Sequence, residues 1–315
     1  MTRTPTVPSS WNIPSRLRAT SLNTYAPWIA AVEQVRCQRR VSGVLVVWST
    51  ALVVPRSGGA LAERRTKEHG PVAAEALQTP LFNPAATVQV AQFDDRHFCL
   101  VVDDALLNPD ELVQFAAERR AEFNSVDFSH YPGIYRMAPA ELSERLTDYF
   151  QLHARRRFDA RRCVETICRY SLVTLPPQAL HPIQWLCHRD DVGLDARLSM
   201  QASVLYLFHD PELGGTGFYV PTHSAAATGA LFADARLASP SAFAARYGLS
   251  PGYMHESNAW FRRIGGIAAK WNRLIIYDGG MLHASDIAAP DRLSADPESG
   301  RLTLNGFFTC RRNLR

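Results

Sequence analysis

The 315-residue sequence has no CxxC pair, no apolar run of membrane length, no internal repeat and no dominant charge. Each absence removes a class of protein. The six cysteines, Cys37, Cys99, Cys163, Cys168, Cys187 and Cys310, stand apart. A chain of this length needs no disulfide staples, so they read as reduced, cytosolic core filler. The longest apolar stretch, Val41 to Val54, has 14 residues, and a membrane span needs roughly 17–25. It follows Arg39 and Arg40 and resembles a signal-peptide core, but it begins too far into the chain for one. The formal net charge is +4. Residues 1–75 hold ten Arg/Lys against four Asp/Glu, which leaves 24 basic and 26 acidic residues in the remainder. The basicity therefore sits in the leader, and the rest gives no reason to invoke nucleic acid. No membrane partner is indicated either.

What is present is ordinary for a globular protein: 46% hydrophobic and 20% charged residues. Residues 1–80 read as a poorly ordered basic extension, with Pro5, Pro8 and Pro14 among Ser, Thr and Arg. This extension is either a floppy leader or upstream sequence from a start codon placed too early. From Leu81 the pattern becomes that of a folded domain, 81–315. Strands are expected at Thr87–Phe93 and His97–Val102. A helix opens at Asn108-Pro109-Asp110-Glu111, with Asn as cap, Pro first and Glu three after the cap. A second helix starts near Pro139, with Leu142, Leu146, Tyr149 and Phe150 on one face. Further strands are expected at 164–173, 184–188, 201–208, 217–220, 273–277 and 302–309, and short helices at 241–247 and 255–263. Helices followed by many short strands imply a mainly β (α+β) fold, a jelly roll with supporting N-terminal helices.

The chemistry starts at His188-Arg189-Asp190. On an extended segment, positions i and i+2 share a side, so an imidazole and a carboxylate face one point. Asp191, at i+3, points elsewhere, though it remains the other candidate carboxylate. A second histidine, His283, follows the apolar strand 273–277 and the bend Gly279-Gly280. Two histidines and one carboxylate make the facial triad of non-haem iron sites, which leaves three positions open. Eighteen residues beyond His283 comes Arg301, with Thr303 on the same strand face. A guanidinium beside a hydroxyl suits the distal carboxylate of a dicarboxylic keto acid.

Arg169-Tyr170-Ser171, His188-Arg189-Asp190, Ala202-Ser203-Val204-Leu205-Tyr206-Leu207, Gly214-Gly215-Thr216-Gly217-Phe218, His283 and Arg301 together resemble the iron(II)/2-oxoglutarate dioxygenase superfamily, in its prolyl-hydroxylase-like branch. The same text is similar to the DUF6445 type of bacterial protein. The resemblance covers residues 82–312. It implies a double-stranded β-helix with Fe(II) held by His188, Asp190 and His283. It also implies 2-oxoglutarate held by Arg301 and Thr303, and O2 as cosubstrate, with succinate and CO2 released. Tyr170 and Tyr206 are candidates to touch the keto acid. The chain departs from the branch at Trp185, where a tyrosine is usual, and at Arg301, where a lysine is usual. Halogenases of the superfamily lack the carboxylate ligand, so Asp190 favours hydroxylation.

Other polar residues have plainer readings. His181, His223 and His255 read as loop or helix-start residues, and Arg155-Arg156-Arg157, Arg161 and Arg162 as a solvated helix end. The stretches 191–200 and 221–272, with Phe232, Phe243, Tyr247, Tyr253, Trp260 and Phe261, are expected to form an apolar substrate wall. That composition suits a small metabolite, an amino acid or a peptide side chain. Two other classes stay open. One is a jelly roll that binds a ligand without turnover. The other is a metal hydrolase, against which no general-base carboxylate stands beside the ligands. The substrate and oligomeric state are not legible.

Overall fold

The computed structural model describes residues 81–125 and 130–313. The basic segment 1–80, with its Val41–Val54 run and Cys37, lies outside the described residues. The first hairpin is β1 (Gln89–Gln92) and β2 (Phe98–Val102). Asp94 closes its turn by accepting from the Arg96 and His97 amides at 2.9 and 3.0 Å. Helix α1 (Pro109–Glu118) follows with Asn108 at its N-cap and Leu112 and Ala116 buried. After β3 (Gly133–Met137), α2 (Ala140–Tyr149) turns Leu142, Leu146 and Tyr149 inward. The chain then winds through a wider turn, Phe150–Ala154, into the long strand β4 (Ala160–Val173). The remaining strands are β5 (Leu198–Tyr206), β6 (Gly215–Pro221), β7 (Phe261–Ile267), β8 (Arg273–Asp278), β9 (Leu282–Asp286) and β10 (Leu302–Arg312). Helices α3 (Ala225–Leu237) and α4 (Pro240–Tyr247) lie between β6 and β7.

Two antiparallel sheets result. The larger has the order β1-β2-β8-β5-β10-β4-β3, the smaller β7-β6-β9. His188 bridges to His283 on the free side of β9 and gives the small sheet a fourth position. From β4 onward the chain alternates between sheets: β4 large, His188 small, β5 large, β6 and β7 small, β8 large, β9 small, β10 large. This winding is a double-stranded β-helix, a jelly-roll architecture.

Strand alternation sorts the side chains. On the outer face of the large sheet, Tyr170, Leu172, Leu304 and Phe308 pack with Leu112, Leu142, Leu146 and Phe150 from the helical layer. Phe150 stacks on Phe308 at 4.2 Å between centroids. Between the sheets, Ala202, Tyr206, Phe218, Tyr277 and Met281 form a second core. Behind the small sheet, Tyr219 and Leu282 meet Trp185, Phe243 and Phe261.

The sequence pattern misplaces three segments. Residues 184–188 are not a strand. Pro182 opens a 3-10 turn, Pro182–Trp185, and the Gln184 side chain accepts from the His181 amide at 2.7 Å. Only His188 pairs. Residues 255–263 are not a helix, because the Asn258 carboxamide oxygen accepts from the Trp260 and Phe261 amides, each at 2.9 Å, and diverts the chain into β7. The aromatic wall is not a lid over the mouth: Phe243 and Phe261 are buried behind the small sheet, where α3 and α4 pack. Strands β3, β7 and β9 and helix α3 appear beyond the elements the sequence pattern predicts. Among the described residues, no helix is long and apolar enough to cross a membrane.

Candidate metal centre

The backbone brings the triad together through a chain of short bonds. The His188 amide donates to the His283 carbonyl and the His283 amide donates back, both at 2.9 Å. The two imidazoles therefore lie side by side, with centroids 4.3 Å apart. Two residues on, the Asp190 amide donates to the Gly279 carbonyl at 2.8 Å, and the Gly279 amide donates to Met200 at 2.9 Å. Gly279 leaves this approach uncrowded. A Cβ there would stand 3.0 Å from Met200 Cγ and 3.2 Å from Asp190 Cβ.

One ligand atom from each of His188, Asp190 and His283 lies within 4.8 Å of the others. His188 Nε2 is 3.7 Å from Asp190 Oδ1, and His283 Nε2 is 3.4 Å from Asp190 Oδ2. Asp191 takes no part; it accepts from Arg189 Nε at 3.0 Å outside the cluster. Of the two candidate carboxylates, Asp190 is the one grouped with both histidines. The His283 side chain is 6% exposed and that of Asp190 11%, while that of His188 is 58% exposed and forms the open side.

The electrostatics suit a cation. His283 Nδ1 lies 2.8 Å from the Met281 carbonyl. A carbonyl only accepts, so the proton sits on Nδ1 and the Nε2 lone pair faces Asp190. Burial pushes the His283 pKa down to about 4, which keeps the ring neutral. Burial likewise raises the Asp190 carboxyl to about 6. Asp190 Oδ2 is buried and has no hydrogen-bond partner among the described residues. An unpartnered buried carboxylate oxygen is costly, and a cation between the two Nε2 atoms would relieve it. The donor set fits Fe(II) or a similar divalent ion.

The expected keto-acid residues divide. Thr303 pairs with Tyr206 across the ladder, so both face inward. The Tyr206 hydroxyl lies 2.8 Å from Thr216 Oγ1. Arg301 is 3% exposed. Its Nε donates to the carbonyls of Leu213 and Gly214 at 2.9 and 3.2 Å, and Nη2 donates to Gly215 at 2.8 Å. These bonds fix the guanidinium against the Gly214-Gly215 corner, and Nη1 has no hydrogen bond to any described residue. Tyr170 is a correction. It faces the helical layer, its ring 5.8 Å from Phe115, because its ladder position puts it opposite Leu304 on the outer face. Trp185 does not offer its N–H to the site either, since Nε1 donates to the Leu180 carbonyl at 3.1 Å. His181, His223 and His255 lie outside the cluster. His223 stacks on Trp260 at 4.1 Å, and His255 Nδ1 lies 3.1 Å from the Tyr253 carbonyl.

Two further residues face inward, neither of them given a role by the sequence pattern. Arg169, 7% exposed, points between the rings of Tyr135 and Phe307, its guanidinium carbon 4.6 and 5.0 Å from their centroids. The Tyr277 ring packs edge-on against His283 at 4.8 Å. Alternation along β4 and β8 was the available signal, but only the sheet register says which face is inner.

The sequence matches the family model DUF6445, described as a family of unknown function, over residues 84–308. The chain belongs to the DUF6445 family. No curated protein matches this DUF6445 chain. Solved structures similar to it include HygX from Streptomyces hygroscopicus, determined with nickel, 2-oxoglutarate and hygromycin B bound. The two are 13% identical over 68% of this chain and 82% of HygX, with a TM-score of 0.37. Another is SnoN, a non-heme alpha-ketoglutarate dependent epimerase from nogalamycin biosynthesis, 11% identical over 68% of this chain and 81% of SnoN, with a TM-score of 0.38. A third is EvdO2 from Micromonospora carbonacea var. aurantiaca, complexed with 2-oxoglutarate, 9% identical over 73% of this chain and 96% of EvdO2, with a TM-score of 0.32. These likenesses are distant, and the chemistry of the site stands on its own geometry.

Proposed function

We propose that this protein is an Fe(II)- and 2-oxoglutarate-dependent oxygenase that hydroxylates an unactivated C–H bond. The observation that carries the reading is the buried, unpartnered Asp190 Oδ2, 3.4 Å from the Nε2 of a neutral His283. When bound, iron and 2-oxoglutarate supply oxidation by O2 with release of succinate and CO2. The protein's own residues bind and orient. His188, Asp190 and His283 would hold the metal from one side and leave room for the cosubstrates. Arg301, anchored through Nε and Nη2, presents Nη1 to the distal carboxylate, with Thr303 and Tyr206 on the same inner face. Phe218, Tyr277 and Met281, buried between the sheets, would exclude water from the inner side of the site.

One observation favours a second reading, a jelly roll that binds a ligand without turnover: three backbone carbonyls already engage Arg301. Succinate formation separates the two. Wild-type protein with Fe(II), ascorbate, O2 and 2-oxoglutarate is expected to make succinate slowly without added substrate. The His283→Ala and Asp190→Ala variants are expected to fall to the no-enzyme background. Wild-type protein at that background would reject the oxygenase and leave the ligand-binding fold.

A further inference from the structure

The mouth of the barrel carries arginines that the metal centre does not use. Asp190 is joined to the large sheet through Gly279 and Met200, and Met200 is the cross-strand partner of Thr309. Two residues beyond Thr309, Arg311 pairs with Leu198 on one side and Arg162 on the other. The unbroken register of β10 against β5 places Arg311 on the inner face with Phe307 and Thr309, and a bulge in β4 opposite Thr309 and Cys310 brings Arg162 beside it. From Phe307 to Arg311 is four residues, about 13 Å at 3.3 Å per residue.

Both arginines are exposed. Neither makes an ion pair or a side-chain hydrogen bond among the described residues. Glu165, opposite Thr309, pairs with neither of them. Like charges directly opposite on neighbouring strands repel and destabilise the ladder. The neighbourhood adds to the field instead of offsetting it, since Arg156, Arg157 and Arg161 are also exposed and unpaired among the described residues. Two guanidinium forks on adjacent strands match a doubly charged oxyanion better than a single carboxylate, which one fork satisfies. A phosphate ester carries about −1.5 to −2 at neutral pH.

We infer that Arg162 and Arg311 bind the phosphate-bearing end of a small-molecule substrate, a phosphoester or pyrophosphate handle some 13 Å along the barrel from the level of Phe307. This rests on the oxygenase reading for what happens at the other end of the substrate, but not for the binding itself. The site lies on the inner face at the mouth, so the handle holds the rest of the molecule towards His188, the exposed ligand.

ADP serves as the probe and adenosine as its uncharged counterpart, titrated without oxygen into protein loaded with Fe(II) and 2-oxoglutarate. Wild type, the double variant Arg162→Gln/Arg311→Gln and the distant control Arg96→Gln are compared. ADP is expected to bind, more weakly as salt rises, and at least ~10-fold more weakly in the double variant than in wild type or Arg96→Gln. Adenosine is expected not to bind measurably. The double variant should keep wild-type succinate formation and melt no lower than wild type, because a repulsive pair has been removed. No ADP binding to wild type, or equal affinity in the double variant, would overturn the inference. Equal affinity with self-association of the double variant would assign the arginines to guarding the part of β4 that β3, paired only with Arg169–Val173, leaves open. Failure of the oxygenase reading shows separately, as wild-type protein that binds ADP through these arginines and makes no succinate.

Discussion

Gly279 sets how closely Asp190 can approach the sheet. A methyl group there meets Met200 and the Asp190 Cβ at 3.0–3.2 Å, so Gly279→Ala must move one of them. Asp190, at the start of a loop, yields more easily than a strand residue. The variant is expected to fold and to bind Fe(II) roughly 10-fold more weakly, read by metal titration; unchanged affinity would show that Asp190 is not held this way. A second residue-scale prediction concerns Cys163. It lies opposite Cys310 on the β4–β10 ladder, and a hydrogen bond from that thiol holds its pKa below the usual thiol range. Cys99, Cys168 and Cys187 are buried, which pushes theirs upward. Iodoacetamide at neutral pH should therefore modify Cys163 first among these residues, as peptide mapping would show. The triad itself was legible at this scale because i, i+2 geometry survives a wrong secondary-structure assignment. The turn ends at Trp185 and the chain is extended again by Leu186, so His188 pairs with His283 while the Asp190 amide bonds to Gly279. The outward side of Tyr170 is not legible, because alternation alone does not say which face is inner.

At the scale of elements, hydrogen-bonded ladders and one ion-pair cluster fix the sheet that carries the site. Asp103, just after β2, accepts from Arg273 Nε and Nη2 at 2.5 and 3.0 Å and from Lys270 at 3.1 Å. Arg273 opens β8, so the cluster pins β2 to β8. Arg273 first, then Lys270, lowers the Asp103 pKa to about 2 against an unfolded value near 3.9. The folded state thus prefers the ionised carboxyl. Its contribution is full above the unfolded pKa, declines as the pH falls below ~4, and is gone below about 2. Urea melts of Asp103→Asn and wild type should differ by on the order of 1–2 kcal/mol at pH 7 and converge near pH 2; a gap independent of pH would contradict this. Phe308→Ala should cost about 3–5 kcal/mol, because its ring is fully buried against Phe150. Elements with long apolar patterns, such as α1, α2, β4 and β10, were legible in the sequence. Strands β3, β7 and β9 were not: they are short, and glycine and polar residues break their alternation.

At the scale of the whole molecule, two sheets wound around one core bring His188 and His283 into contact across 95 residues of sequence. The order of ligands was readable along the chain, but the depth of Arg169 and Tyr277 was not, since it depends on which strands are neighbours in the sheet. The same winding puts the exposed His188, the Arg162–Arg311 pair and the 191–200 loop at one end of the barrel. In the proposed function the triad and Arg301 jointly hold iron and a chelated keto acid. The direct test is to add Fe(II) and then 2-oxoglutarate to the protein without oxygen and record the visible spectrum. A weak charge-transfer band is expected in wild type, absent from His188→Ala and His283→Ala and requiring more 2-oxoglutarate in Arg301→Ala. Folded, iron-loaded wild-type protein that shows no band at saturating 2-oxoglutarate would contradict the account.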